Sequence, residues 1–156
     1  MRVLACDPGY DRLGVAVLEK QLGTERLLYS ACITTNKASA LPERLAEMGA
    51  AFTALLSEYA PTHVALETLY FSKNVRTAMA VAEARGVLLY LARTAGCEIA
   101  EYTPQQVKVA TTGHGGSDKR QVAAMLPRLL PGIPKGALDD EYDAIAVGLT
   151  ALASLR

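Results

Sequence analysis

Residues 2–34 contain three short runs of strand-forming residues joined by connections of only a few residues, a spacing that an antiparallel meander satisfies. The first run, Arg2–Asp7, is apolar and ends at the turn signal Asp7-Pro8-Gly9. The second covers Leu13–Leu18. The third, Leu27–Thr34, follows the polar turn around Gln21-Leu22-Gly23-Thr24. From Leu41 to Tyr59 the spacing becomes helical, with Leu41, Leu45, Met48 and Phe52 on one face. His63–Glu67 reads as a short buried strand ending in an acid, and Glu98–Tyr102 as a fifth strand. Between them, Asn74–Ala95 reads as a helix apolar nearly all round, which must be covered on more than one side by the sheet or by a partner subunit. Pro104 opens a short helix, Ser117 or Asp118 caps the next, and the last begins near Asp139 or Asp140. Strands segregate first and then alternate with helices. The expectation is one α/β domain spanning 1–156, with a five-stranded mixed sheet and helices on both faces.

Composition narrows the function. No apolar stretch is long enough to span a bilayer, and no leader-like segment opens the chain, so a cytoplasmic protein is expected. Cys6, Cys32 and Cys97 are far apart and form no CxxC pair, so they read as small apolar fillers rather than a thiolate metal site. Net charge is zero, but its distribution is uneven. Residues 72–135 carry nine bases against four acids, while the rest carries seven against twelve. That asymmetry suits a protein that holds a polyanion with one region and a cation with another.

Four acids stand out by position. Asp7 ends the first strand, Glu67 ends the fourth, and Asp140 and Asp143 lie at i, i+3 near the start of the last helix. Singly, each has an ordinary role as a turn residue, a strand-end charge or a helix N-terminal charge. If strands one and four are neighbours, Asp7 and Glu67 lie side by side, and the last helix could then bring its two carboxylates to the same spot. Like charges about 4 Å apart repel by roughly 4 kcal/mol at an effective dielectric near 20, so such a cluster requires protonation or a divalent cation. An all-oxygen donor set suits Mg²⁺ or Mn²⁺. Two such ions bridged by Asp7 would form a clamp for in-line phosphodiester hydrolysis, one activating the water and the other steadying the leaving 3′-oxygen.

The motifs resemble those of the RuvC Holliday-junction resolvases. The resemblance rests on Asp7-Pro8-Gly9 with Gly14-Val15, and on Glu67 followed by Tyr70-Phe71-Ser72-Lys73-Asn74. It continues through Ala84-Arg85-Gly86-Val87, Gln106-Val107-Lys108 and Lys119-Arg120-Gln121-Val122, and ends with Asp140-Glu141-Tyr142-Asp143-Ala144-Ile145-Ala146. It implies a ribonuclease-H-like fold and a homodimer that resolves four-way DNA junctions by paired symmetric nicks in recombination and repair. It also implies contact with a branch-migration motor complex (RuvA and RuvB). By the same resemblance Asp7, Glu67, Asp140 and Asp143 are metal ligands, and Lys108 and Lys119 are phosphate-contacting lysines that assist catalysis. Tyr70, Phe71, Lys73, Asn74, Arg76 and Arg120 join those lysines as DNA-binding residues. The family usually has Phe where Tyr70 stands, so either Tyr70 or Phe71 is the ring that stacks into the opened junction. Three rivals remain: a nuclease of the same fold acting on RNA in ribosome maturation, a metal-free binder of branched DNA, and a nucleotide-binding module of the actin and sugar-kinase type. The last needs two such domains, more than 156 residues provide.

Overall fold

A computed structural model describes residues 1–9, 11–68 and 75–155, with the backbone alone for Val75 and Arg76. The chain runs β1 (Arg2–Pro8), β2 (Arg12–Gln21), β3 (Thr24–Thr34), α1 (Leu41–Tyr59), β4 (His63–Glu67), α2 (Val75–Thr94), β5 (Glu98–Tyr102), α3 (Pro104–Thr112), α4 (Lys119–Leu129) and α5 (Asp139–Ser154). The strands form one sheet in the order β3-β2-β1-β4-β5. The first three pair antiparallel, while β4 pairs parallel to β1 and β5 parallel to β4. The expected mixed five-stranded sheet is therefore present.

The hairpin strands β2 and β3 are longer than apolar patterning indicates, because charged residues extend the ladder. Glu19 and Lys20 stay in register with Arg26 and Glu25, and Lys20 reaches Glu25 at 3.3 Å. A strand near a sheet edge tolerates such residues, and a reading of hydropathy alone overlooks them.

Side chains alternate between the two faces with period two, and this splits the core into two layers. Val3 and Ala5 of β1, Ala16 and Leu18 of β2 and Ala65 of β4 face α4 and α5. Leu4 and Cys6, Val15 and Val17, and Val64 and Leu66 face α1 and α2. The α5 side is made largely of small residues, which lets that helix lie close. A Cβ on Gly148 would stand 2.2 Å from a Leu18 methyl carbon.

Helix α2 is covered on one side only. Ala84, Leu88 and Ala92 are fully buried, while Met79 and Tyr90 are 60% and 70% exposed. The sheet thus satisfies part of its apolar surface. A groove between α1 and α2, lined by Leu45, Gly49, Val87, Tyr90 and Leu91, remains open.

Candidate active site

The sheet's alternation determines where the acids point. Asp7 follows Val3 and Ala5 at two-residue steps and so projects toward α5. Glu67 follows Ala65 and does the same. The parallel register pairs Cys6 with Leu66, which sets Asp7 and Glu67 side by side at the C-terminal ends of adjacent strands. The start of α5 closes the site from above. Asp7 pairs across the ladder with Gly14, and a Cβ on Gly14 would lie only 1.8 Å from the Asp140 carbonyl oxygen. Glycine at position 14 is therefore what admits the first turn of α5 beside Asp7. Ser30 Oγ fastens the same turn by donating to Glu141 at 2.6 Å. That turn carries Asp139, Asp140 and Glu141, where the positive end of the helix dipole favours carboxylates.

Asp7, Glu67, Lys108, Lys119 and Asp143 line one cleft, together with Pro104, Val107 and Val122. The two lysines arrive on separate helices, each with a defined start. Thr103 caps α3 in a reciprocal box with Gln106, and Asp118 caps α4 likewise with Gln121. The Asp118 box follows from the sequence spacing. The Thr103 box carries the same signal in Thr-Pro-Gln-Gln, which a reading based on Pro104 alone overlooks. Lys119 Nζ donates to Asp143 Oδ2 at 2.5 Å.

Asp140 is not among the lining residues, but it is close enough for its charge to act on Asp7. Its Oδ2 is buried and accepts no aligned hydrogen bond, although Arg12 Nε stands 3.2 Å away. Arg120 is exposed beside Lys119 in the first turn of α4, outside the cleft lining. Tyr70, Phe71, Lys73 and Asn74 lie outside the described residues, as does the side chain of Arg76. His114 is exposed in the loop between α3 and α4, as its glycine-rich setting suggests.

Electrostatically the cleft is short of positive charge at its centre. Burial, followed by the charges of Asp143, Glu67 and Asp140, pushes the Asp7 carboxyl up from an ordinary 3.8 to about 7. Glu67 is raised for the same reasons, burial first and Asp143 next, against the lowering influence of Lys119 and Lys108. The hydrogen bond to Asp143 raises Lys119 and keeps it charged.

Among the described residues no three carboxylate, imidazole or thiolate groups already stand arranged around one ion. Two of the four acids are instead turned to cations of the chain, Asp143 to Lys119 and Asp140 to Arg12. The donor set nevertheless fits a hard divalent cation: it is all oxygen, it is overcharged at Asp7, and it includes a buried carboxylate oxygen without a hydrogen bond. The three cysteines are free thiols and none lines the cleft.

Comparison with known proteins agrees with this architecture. A family model described as crossover junction endodeoxyribonuclease RuvC matches residues 3–151. The RuvC of Thermosipho melanesiensis is 43% identical over 149 residues, covering 94% of both chains. That of Brevibacillus brevis is 40% identical over 152 residues, covering 96% of this chain and 90% of its own. Among solved structures, Thermus thermophilus RuvC in complex with a Holliday junction substrate superposes with a TM-score of 0.90 at 32% identity, covering 97% of this chain and 93% of that one. The yeast mitochondrial resolvase Ydc2, at 11% identity and a TM-score of 0.70, shares the fold. This chain is a member of the RuvC family of crossover junction endodeoxyribonucleases.

Proposed function

We propose that this protein resolves four-way DNA junctions by two symmetric, metal-dependent phosphodiester hydrolyses, one at each active site of a homodimer. The observation that carries the reading is the meeting of Asp7, Glu67 and Asp143 with Lys108 and Lys119 in one cleft of a RuvC-family chain. Asp140, outside that lining, is close enough for its charge to act on Asp7.

Asp7, Glu67, Asp140 and Asp143 are the residues that would hold divalent cations. The expected complement is two ions of Mg²⁺, with Mn²⁺ as an effective substitute. Such ions, when bound, supply neutralisation of the scissile phosphate and activation of the attacking water. The remaining work belongs to the chain. Asp7 and Glu67 stand on paired strands, Asp7 opposite Gly14 of β2 and Glu67 opposite Tyr102 of β5. Lys119 and Lys108 line the cleft, and in this reading their ammonium groups bind phosphate oxygens and stabilise negative charge as the bond breaks. Arg120 and the segment containing Tyr70, Phe71, Lys73, Asn74 and Arg76 extend the contact along the DNA, one of the two rings stacking on an unpaired base.

A junction of two-fold symmetry requires two matched sites on one face, hence a C2 dimer. The half-covered α2, with Met79 and Tyr90 exposed beside the apolar groove against α1, is the candidate interface. Docking of a branch-migration complex (RuvA and RuvB) and a cytoplasmic location accompany this reading. Among the described residues no helix is long and apolar enough to cross a membrane.

The test is incubation of a synthetic mobile junction with the protein and Mg²⁺ or Mn²⁺, with both strands mapped. Paired nicks at symmetric positions are expected from the wild type. The Asp7→Asn variant should bind the junction and leave it uncut. Uncut junction with wild-type protein in either metal overturns the proposal.

A further inference from the structure

Arg12 is the first residue of β2 and lies between Asp7-Pro8-Gly9 and Gly14-Val15. Its guanidinium Nε lies 3.2 Å from Asp140 Oδ2, and its side chain is 48% exposed. The contact is an ion pair without an aligned hydrogen bond, since the same oxygen is buried and accepts none. A guanidinium offers five donors in a rigid fork, and a single unaligned approach leaves most of that capacity unused. The backbone here is well anchored. Neighbouring Asp11 accepts from the buried Arg44, which also donates to Thr35 Oγ1 at 2.9 Å, so the turn leading into β2 is tied to α1. Arg12 therefore has a fixed base and a loosely held head.

Its position relative to the lysines matters. Lys108 and Lys119 come from α3 and α4 and line the cleft with the carboxylates. Arg12 approaches from β2, beyond Asp140. In the sheet order β3-β2-β1-β4-β5, Arg12 on β2 lies across Asp7 of β1 from Glu67 of β4, so a strand whose phosphates pass the lysines and the acids could continue toward it.

We propose that Arg12 is an exchangeable counter-ion of Asp140: it occupies that carboxylate in the metal-free protein, and divalent metal binding releases it to contact a backbone phosphate of the DNA strand in the cleft. The inference rests on the metal-site reading of the four acids. It assigns this arginine two linked effects, competition with the metal and affinity for the polyanion. A half-exposed ion pair is a weak competitor, so removing it should tighten metal binding by roughly two- to fivefold. Without its charge on a DNA phosphate, the dependence of log affinity on log salt should flatten by about one.

The experiment compares wild type, Arg12→Gln and Arg12→Lys. Mn²⁺ is titrated without DNA by calorimetry or by the paramagnetic signal of free Mn²⁺. Junction binding is then measured across salt concentrations with Ca²⁺ present and the DNA verified uncut. Arg12→Gln should bind Mn²⁺ more tightly and show the flatter salt slope, while Arg12→Lys keeps the wild-type slope. Unchanged Mn²⁺ affinity in Arg12→Gln overturns the counter-ion role, and an unchanged salt slope overturns the phosphate contact. If wild type binds no Mn²⁺, the metal-site reading fails and this inference fails with it. Mn²⁺ binding equal in wild type and Arg12→Gln defeats this inference alone.

Discussion

Replacing Asp7 by Asn should make the metal-free protein more stable while it destroys the enzyme. Burial, and after it the charges of Asp143, Glu67 and Asp140, holds the Asp7 carboxyl at about 7 instead of 3.8. Ionising it in the folded state therefore costs about 4 kcal/mol more than in the unfolded chain. Asn has nearly the shape of the protonated acid and avoids that cost. Part of the strain stays with the other three carboxylates, so a gain of roughly 2–4 kcal/mol is expected near pH 8. For a chain of this length that is a rise in Tm of roughly 5–15 °C. The pH dependence provides an internal check. A carboxyl raised on folding destabilises fully above about pH 7, and the penalty disappears as pH falls toward the unfolded value near 4. The advantage of Asp7→Asn should shrink over that window and vanish at its acid end. Thermal unfolding in EDTA at several pH values reads this directly. Adding Mg²⁺ should stabilise wild type by mass action and the variant less. A variant less stable than wild type in EDTA at pH 8, or a gain that does not change with pH, would refute the argument that burial, reinforced by neighbouring carboxylates, raises the Asp7 carboxyl.

Three further outcomes follow from the same geometry. Gly14→Ala places a Cβ against the Asp140 carbonyl, so it should push the start of α5 off β2 and cost about 1–3 kcal/mol in urea unfolding, with junction cutting falling more than stability alone explains. Lys119→Ala removes the donor to Asp143 and a cleft-wall cation, so cutting should fall and the salt slope of junction binding should flatten by about one; an unchanged slope would remove Lys119 from the DNA path. Tyr90→Asp puts a charge on the exposed face of α2, so sedimentation should show monomers that still bind Mn²⁺; an undisturbed dimer would relocate the interface.

Much of this protein is legible in its sequence because local rules and global packing agree. The strand His63–Glu67 and the strand Glu98–Tyr102 have the bounds their apolar runs indicate, and the Asp118–Gln121 box starts α4 where its spacing says. The acids at strand ends and at the last helix are visible as types and positions. Period-two alternation even fixes which face Asp7 and Glu67 take, once a neighbouring register is granted. That register is what one dimension cannot supply. Only the folded sheet sets β4 parallel beside β1, and only then do residues sixty apart share a cleft. The sequence also has no means of stating that Gly14 is required by a carbonyl 126 residues later, or that Arg12 rests on Asp140. Both are close approaches between chain segments with no pattern of their own, and steric fit and charge pairing at that range exist only after the core has packed.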